Sequence, residues 1–310
     1  MEEIALSIPL LKPLLRPKDF LKVFRLYRET GSFSFSMSIF EEGYIKSVFS
    51  FLGSGGKILF IRGQWIAMLG HQSVLLERLS GKEFHLLDSL EEMEFSGWCL
   101  KFTDTGSIVL DGPDRSLLFD SYEGVLNLQE CFTDYECLNV NGKTVIDIGA
   151  YKGESSLYFW ARGAQKVIAL EPCRSFYEQA LETVKKNKVT ESVVVLNKGV
   201  GDSIREFDTN KGGDSDTLFP VNDFFALIEG LKAENSDIAL KIDCEGCEYE
   251  LYRDPEKVLL WKDLGVKEFI MEYHDGDVLS LLKNWRSLGY RVYRVLKKDT
   301  KVGIIYGCLA

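Results

Sequence analysis

Basic charge is in short supply in this chain: 37 lysines and arginines face 47 acids, leaving a formal net charge of -10 over 310 residues. A nucleic-acid backbone wants a basic face, so the balance argues against that class of partner. Long apolar runs are missing as well, and no stretch approaches the roughly 20 residues needed to span a bilayer. The opening M-E-E-I-A-L-S-I-P-L-L-K-P is acidic where a secretory leader is basic, and Pro9, Lys12 and Pro13 interrupt it. Seven cysteines, an odd number scattered along the chain, do not make a disulfide framework. With only three histidines, the single C-x-x-C pair at Cys244 and Cys247 lacks the company a zinc centre needs, and both read as packing thiols. The expectation is a soluble cytoplasmic protein with no metal site.

From about Asn139 onward, strand and helix alternate with short connections, as in a parallel sheet covered on both faces. Strands are expected at Thr144–Ile148, Lys166–Leu170, Ser192–Leu196, Ile238–Ile242, Lys267–Glu272, Tyr290–Leu296 and Val302–Cys308. Helices are expected from Glu154, from Arg174 to Lys186 with Phe176, Ala180, Leu181 and Val184 on one stripe, and through Leu279, Leu282, Trp285 and Leu288. The last two strands are separated only by K-K-D-T-K, too short for a crossover, and should form an antiparallel hairpin. The polar segment from Arg205 to Asn222 reads as an inserted loop. The division is therefore residues 136–310 as an α/β domain and residues 1–135 as an α+β accessory domain. In the latter, Phe20–Thr30 reads as helix, glycine-punctuated segments read as hairpins, and no catalytic motif stands out.

Chemistry concentrates at four strand ends. V-I-D-I-G-A-Y-K-G-E-S, from Val145 to Ser155, is a buried strand, a tight turn and a helix start. Gly149, Ala150, Tyr151 and Gly153 form the turn, where glycine lets the backbone approach a ligand closely. A dinucleotide turn would read G-x-G-x-x-G and present amides to a pyrophosphate. Here the second glycine is missing, and Asp147 and Glu154 flank the turn. Two acids repel a pyrophosphate but suit the ammonium and sulfonium of S-adenosylmethionine. K-V-I-A-L-E-P then ends in Glu171, placed to accept bonds from both ribose hydroxyls, and Pro172 takes the chain out of the strand.

The third cluster is L-K-I-D-C-E-G-C-E, where Asp243 and Glu245 crowd a strand end and read as functional. Glu248 and Glu250 read as acids opening a solvated helix. In the fourth, F-I-M-E-Y-H-D-G-D, Glu272, His274 and Asp275 reach the same edge. His274 is a candidate general base, oriented by Glu272 or Asp243; a structural histidine is the competing reading. His71 and His85 lack acidic or thiol company and read as structural.

At these motifs, together with N-K-G-V-G-D (Asn197 to Asp202), M-E-Y-H and the lead-in E-C-F-T-D-Y-E, the sequence resembles the FkbM-like family of S-adenosylmethionine-dependent methyltransferases. The resemblance covers the C-terminal 175 to 180 residues or so, and its more specific motif is K-I-D-x-E-G-x-E, here with Cys244 and Cys247 at the variable positions. It implies a Rossmann-like class I methyltransferase fold, a seven-stranded, mostly parallel sheet, and methyl transfer to a hydroxyl of a sugar, glycolipid or secondary metabolite. By position it implies Asp147, Gly149 and Gly153 at the methionine end, Glu171 at the ribose, and Gly199 and Val200 beside the adenine. The acceptor's proton would go to His274 or Asp243, or a divalent metal on Asp243, Glu245 and Glu272 would acidify the hydroxyl. Two rival readings stand beside this one: a nicotinamide-dependent oxidoreductase on a related sheet, and a non-catalytic module that binds S-adenosylmethionine without turnover.

Overall fold

The computed structural model describes residues 17–32, 36, 44–61, 64–76, 86–87, 90, 93, 97–102, 107–119, 122–201, 218–219, 221–233, 237–244, 246–253, 263, 265–274, 277–297 and 302–309. The chain divides into two compact units, residues 1–111 with 119–126, and residues 112–118 with 127–310. Among the described residues no helix is long and apolar enough to cross a membrane.

In the first unit, α1 (Pro17–Thr30) buries Val23 and Leu26 and leaves Leu21 and Phe24 exposed, and α2 (Ile45–Gly53) buries Ile45, Val48 and Phe51. β1 (Lys57–Ile61), β2 (Gln64–Leu69) and β3 (Gln72–Leu76) form an antiparallel meander. β4 (Cys99–Phe102) and β5 (Ile108–Asp111) pair antiparallel in another sheet. Gln72 is buried, and its amide reaches the backbone of Leu90 and Leu100, satisfying a polar side chain that burial would otherwise penalise. β6 (Ser116–Phe119) and α3 (Tyr122–Asp134) follow, each divided between the two units.

The second unit is built on a seven-stranded sheet. Its strands are β7 (Thr144–Ile148), β8 (Lys166–Leu170), β9 (Val193–Leu196), β12 (Ile238–Ile242), β13 (Val266–His274), β14 (Tyr290–Lys297) and β15 (Val302–Leu309). A two-residue parallel pair, β10 (Gly199–Val200) with β11 (Leu218–Phe219), lies outside it. The spatial order is β9-β8-β7-β12-β13-β15-β14. β15 runs antiparallel to both of its neighbours, and the pairings from β9 through β13 are parallel. β7 and β12 are buried at every position, which is why they read as unbroken apolar runs rather than alternating ones.

Helices α4 (Glu154–Ala161), α5 (Arg174–Lys186), α6 (Val221–Ala233), α7 (Cys247–Arg253) and α8 (Val278–Ser287) connect the strands. The helix at Arg174–Lys186 falls where its stripe places it, with Ala180 and Val184 fully buried. The stripe of α8 differs from expectation: Leu279 is 74% exposed, and the buried line is Leu281, Trp285 and Leu288 at i, i+4, i+7. The helix is rotated so that the Trp285 indole stacks on Phe269 at 3.8 Å, with Tyr290 edge-on at 4.8 Å. Of the expected loop from Arg205 to Asn222, residues 218–219 form β11 and 221–222 open α6; the remainder lies outside the described residues.

Candidate functional site

Strands β7, β8, β12 and β13 are parallel, so their carboxyl ends share one edge, and the order reverses between β7 and β12. Open α/β sheets bind ligands outside such a reversal. Asp147 and Gly149, Glu171, Asp243, and Glu272 with His274 all stand there, one set from each strand.

Gly149 leaves β7 at φ +80°, and a Cβ there would sit 1.7 Å from the carbonyl oxygen of Asp243. The turn can therefore hold only glycine at this position, for steric as well as conformational reasons. The Asp243 amide donates to the Ile148 carbonyl at 3.0 Å, so the loops after β7 and β12 are tied together. Tyr151 takes φ +49°, uncommon for a bulky residue, and its amide donates to Glu171 Oε2 at 2.8 Å. Its ring lies 4.3 Å from that of Phe176, with Lys152 Nζ 5.0 Å away.

Asp147 is fully buried. Its Oδ2 accepts from the hydroxyls of Ser155 at 2.7 Å and Ser156 at 2.6 Å, and its Oδ1 lies 3.1 Å from Lys241 Nζ. Lys241, 1% exposed on β12, also donates to the Gly149 carbonyl at 2.7 Å, stands 3.7 Å from Asp243 Oδ2 and sits 5.5 Å from the centre of the Tyr135 ring. Burial alone would lower the Lys241 pKa; Asp147 and Asp243 outweigh it and hold the ammonium above its usual range. The charge of Asp147 is thus met inside the protein by a lysine that sequence reasoning left without a role. A lysine inside the apolar run I-A-L-K-I was the available signal. Glu154, the other acid of the turn, is buried and accepts from Asn127 Nδ2 at 3.0 Å.

Glu171 is 6% exposed and accepts from the amides of Tyr151 and Cys173, each at 2.8 Å. Burial pushes its pKa up to about 7, against the lowering effect of those two bonds and of Lys241, and with the help of Asp147. Pro172 follows at the strand exit, where its carbonyl and that of Glu171 accept from Asn197 Nδ2 at 3.0 and 2.9 Å. Gly199 and Val200 are both buried in β10, and Val200 belongs to the hydrophobic core.

At the ends of β12 and β13, Tyr135 donates its hydroxyl to Asp243 Oδ2 at 2.9 Å, and burial, then the Asp243 charge, raises the phenol pKa well above normal. His274 meets three acids. Its Nδ1 is 3.2 Å from Glu248 Oε1, while its Nε2 stands 3.9 Å from Asp243 Oδ1 and 3.8 Å from Glu272 Oε1. The expected orienting groups, Asp243 and Glu272, are beyond hydrogen-bond reach, and Glu248 fills that role. Glu248 is fully buried rather than solvated, and it also accepts from the amides of His274 at 3.0 Å and Gly246 at 2.7 Å. The hydrophilic letter disguised a long-range contact, which spans 26 residues. A carboxylate only accepts, so Nδ1 carries the proton and Nε2 faces the acids.

Cys244 and Cys247 form a disulfide, which corrects their reading as packing thiols: the turn between β12 and α7 brings their Cα atoms to 5.5 Å, within bonding range. Glu245, Asp275 and His85 lie outside the described residues, as does the Glu250 side chain. His71 is exposed in the first unit.

No protein-family model matches the sequence, and no match is found among curated proteins. Solved structures that it is similar to include fibrillarin from Aeropyrum pernix with natively bound S-adenosylmethionine, at 11% identity, 67% of this chain, 97% of that one and a TM-score of 0.37. Magnesium protoporphyrin IX methyltransferase from Synechocystis PCC 6803, with the same molecule bound, shares 10% identity over 61% of this chain and 78% of that one, with a TM-score of 0.36. Precorrin-6y C5,15-methyltransferase from Geobacter metallireducens GS-15 shares 16% over 63% of this chain and 91% of that one, again at 0.36. Similarity this low says nothing about activity. The strand order does define the fold: a Rossmann-like sheet with an antiparallel strand inserted next to its edge is the class I methyltransferase architecture.

Proposed function

We propose that the chain is an S-adenosylmethionine-dependent methyltransferase acting on a hydroxyl oxygen of a sugar, glycolipid or secondary metabolite, and that it belongs with the FkbM-like enzymes. One observation carries the reading: acids from β7, β8, β12 and β13 converge at the reversal point of a sheet whose order is that of class I methyltransferases. The methyl donor lies over the turn Gly149, Ala150, Tyr151 and Gly153. Glu171 and Pro172 border the ribose, Gly199 and Val200 the adenine, and Asp147 and Asp243 the methionine end. Since Asp147 is already paired with Lys241, it acts mainly by holding the turn, and Asp243 is the more accessible charge for a cationic donor.

The acceptor oxygen attacks the methyl carbon in line. The carbon–sulfur bond breaks, its electron pair returns to sulfur, and S-adenosylhomocysteine leaves. The protein's share is to hold the oxygen near 3 Å from the carbon and exclude water. The hydroxyl proton departs toward the cluster that contains Asp243 and His274; these two and Glu245 are the residues assigned to this step. The segment before residue 136 is assigned an accessory role in choosing the acceptor.

Calorimetry with S-adenosylhomocysteine, S-adenosylmethionine and NAD tests the reading, followed by a screen of sugars, glycolipids and phenols with labelled donor. Binding of the first two and label transfer to a hydroxyl are expected. Binding of NAD alone would sink the proposal in favour of an oxidoreductase, and donor binding without transfer to any acceptor would reduce the chain to a binding module.

A further inference from the structure

Asp243, Glu272 and His274 each offer one donor atom, and all three atoms lie within 4.8 Å of one another. They come from the ends of two adjacent strands, β12 and β13, whose register fixes the spacing. We propose that these three residues form a binding site for a divalent transition-metal ion.

The arrangement differs from a chance gathering of surface acids in how His274 and Asp243 are held from behind. Metal-binding histidines present one ring nitrogen to the ion and give the other N–H to a carboxylate, which sets tautomer and ring direction. Fully buried Glu248 does this to His274 Nδ1 at 3.2 Å and anchors the same residue through its backbone amide at 3.0 Å. Nε2 is left pointing at Asp243 Oδ1 and Glu272 Oε1, 3.9 and 3.8 Å away. Those separations are too long for hydrogen bonds. They match two ligands that share an ion about 2.0–2.3 Å from each. Asp243 divides its oxygens in the same way: Oδ2 takes the Tyr135 hydroxyl and faces Lys241, while Oδ1 faces Nε2. His274 and Asp243 are partly open, so the ion keeps positions for outside ligands.

One imidazole with two carboxylates suits Mn²⁺, Fe²⁺ or Zn²⁺ better than Ca²⁺ or Mg²⁺. Compared with Asp243, Glu245 and Glu272, the set considered from the sequence, His274 takes the place of Glu245. Resting on the methyl-transfer reading above, the ion would acidify an acceptor hydroxyl that joins its open positions, which removes the need for a free imidazole base.

The test is a titration of chelator-stripped, full-length protein with Mn²⁺ alone, following free ion by electron paramagnetic resonance, with Zn²⁺ added afterwards as competitor. One Mn²⁺ per chain is expected, displaced by Zn²⁺. Glu272→Gln and His274→Ala should each weaken binding about a hundredfold, and Glu248→Gln about tenfold through loss of orientation. Circular dichroism and thermal unfolding confirm that each variant is folded; Glu272→Gln keeps shape and volume if His274→Ala does not survive. Absence of stoichiometric Mn²⁺, or affinity unchanged in folded Glu272→Gln, overturns the site. Protein that binds S-adenosylhomocysteine but no Mn²⁺ refutes the ion and leaves methyl transfer standing. Protein that binds Mn²⁺ but no S-adenosylhomocysteine supports the ion and refutes the donor.

Discussion

Glu171 couples the stability of this protein to pH in a direction opposite to that of most paired carboxylates. Burial raises its pKa from an ordinary 4.5 to about 7. Between those values the folded chain holds a proton that the unfolded chain has released, so the carboxyl favours folding at low pH. That contribution is lost as pH rises through about 7. A shift of this size corresponds to about 3 kcal/mol by the conversion of ~1.4 kcal/mol per pKa unit. Because Glu171 is only 6% exposed, solvent screening removes little of it. Urea unfolding of wild type and Glu171→Gln at intervals from pH 5 to 8.5 isolates the effect, since titration elsewhere cancels in the difference. The charged neighbours that enter, Lys241 and Asp147, form an ion pair with each other. The variant should gain on the wild type by about 2.5 kcal/mol between pH 5 and pH 8. A difference flat across the range would refute the assignment of the shift to Glu171. The donor supplies a second readout: if only the ionised form holds the ribose, about one molecule in eleven is competent at pH 6, and affinity there should fall about tenfold from its alkaline value.

Three other perturbations follow from the same geometry. Lys241→Met strands the buried Asp147 charge and should cost about 3–5 kcal/mol, whereas adding Asp147→Asn should recover much of that loss; a double-mutant cycle by chemical denaturation checks the coupling, and additive losses would contradict the pair. Gly149→Ala forces a Cβ into the Asp243 carbonyl and should lower stability by several kcal/mol while abolishing donor binding; a folded variant that binds normally would count against the interlocked loops. Trp285→Ala should cost about 3–5 kcal/mol by emptying the stack against Phe269 and Tyr290, read from the thermal midpoint, and a loss below 1 kcal/mol would place the indole outside the core.

Most of the sheet was legible because parallel strands buried on both faces are written as short apolar runs. Thr144–Ile148, Lys166–Leu170 and Ile238–Ile242 have the expected limits, and the length of K-K-D-T-K foretold the antiparallel pairing of β14 with β15. Local periodicity was weaker for α8, where Leu279 and Leu281 compete for the buried face and only packing against Phe269 decides. The site was half legible. Titratable groups at strand ends announce themselves, which makes Asp147, Glu171, Asp243 and His274 readable from the sequence. Their partners lie far along the chain: Tyr135 is 108 residues from Asp243, and Lys241 reaches a carbonyl 92 residues away. No local pattern encodes contacts at such range. Glu248 was misplaced for the same reason, since helix-opening acids are ordinarily wet and this one is enclosed by the end of β13.

Because a carbonyl of residue 243 fills the space that any side chain at 149 would claim, the turns that follow β7 and β12 cannot drift apart independently. A designer who exchanges the 243–248 segment must transplant the 149–153 turn with it, as a single part.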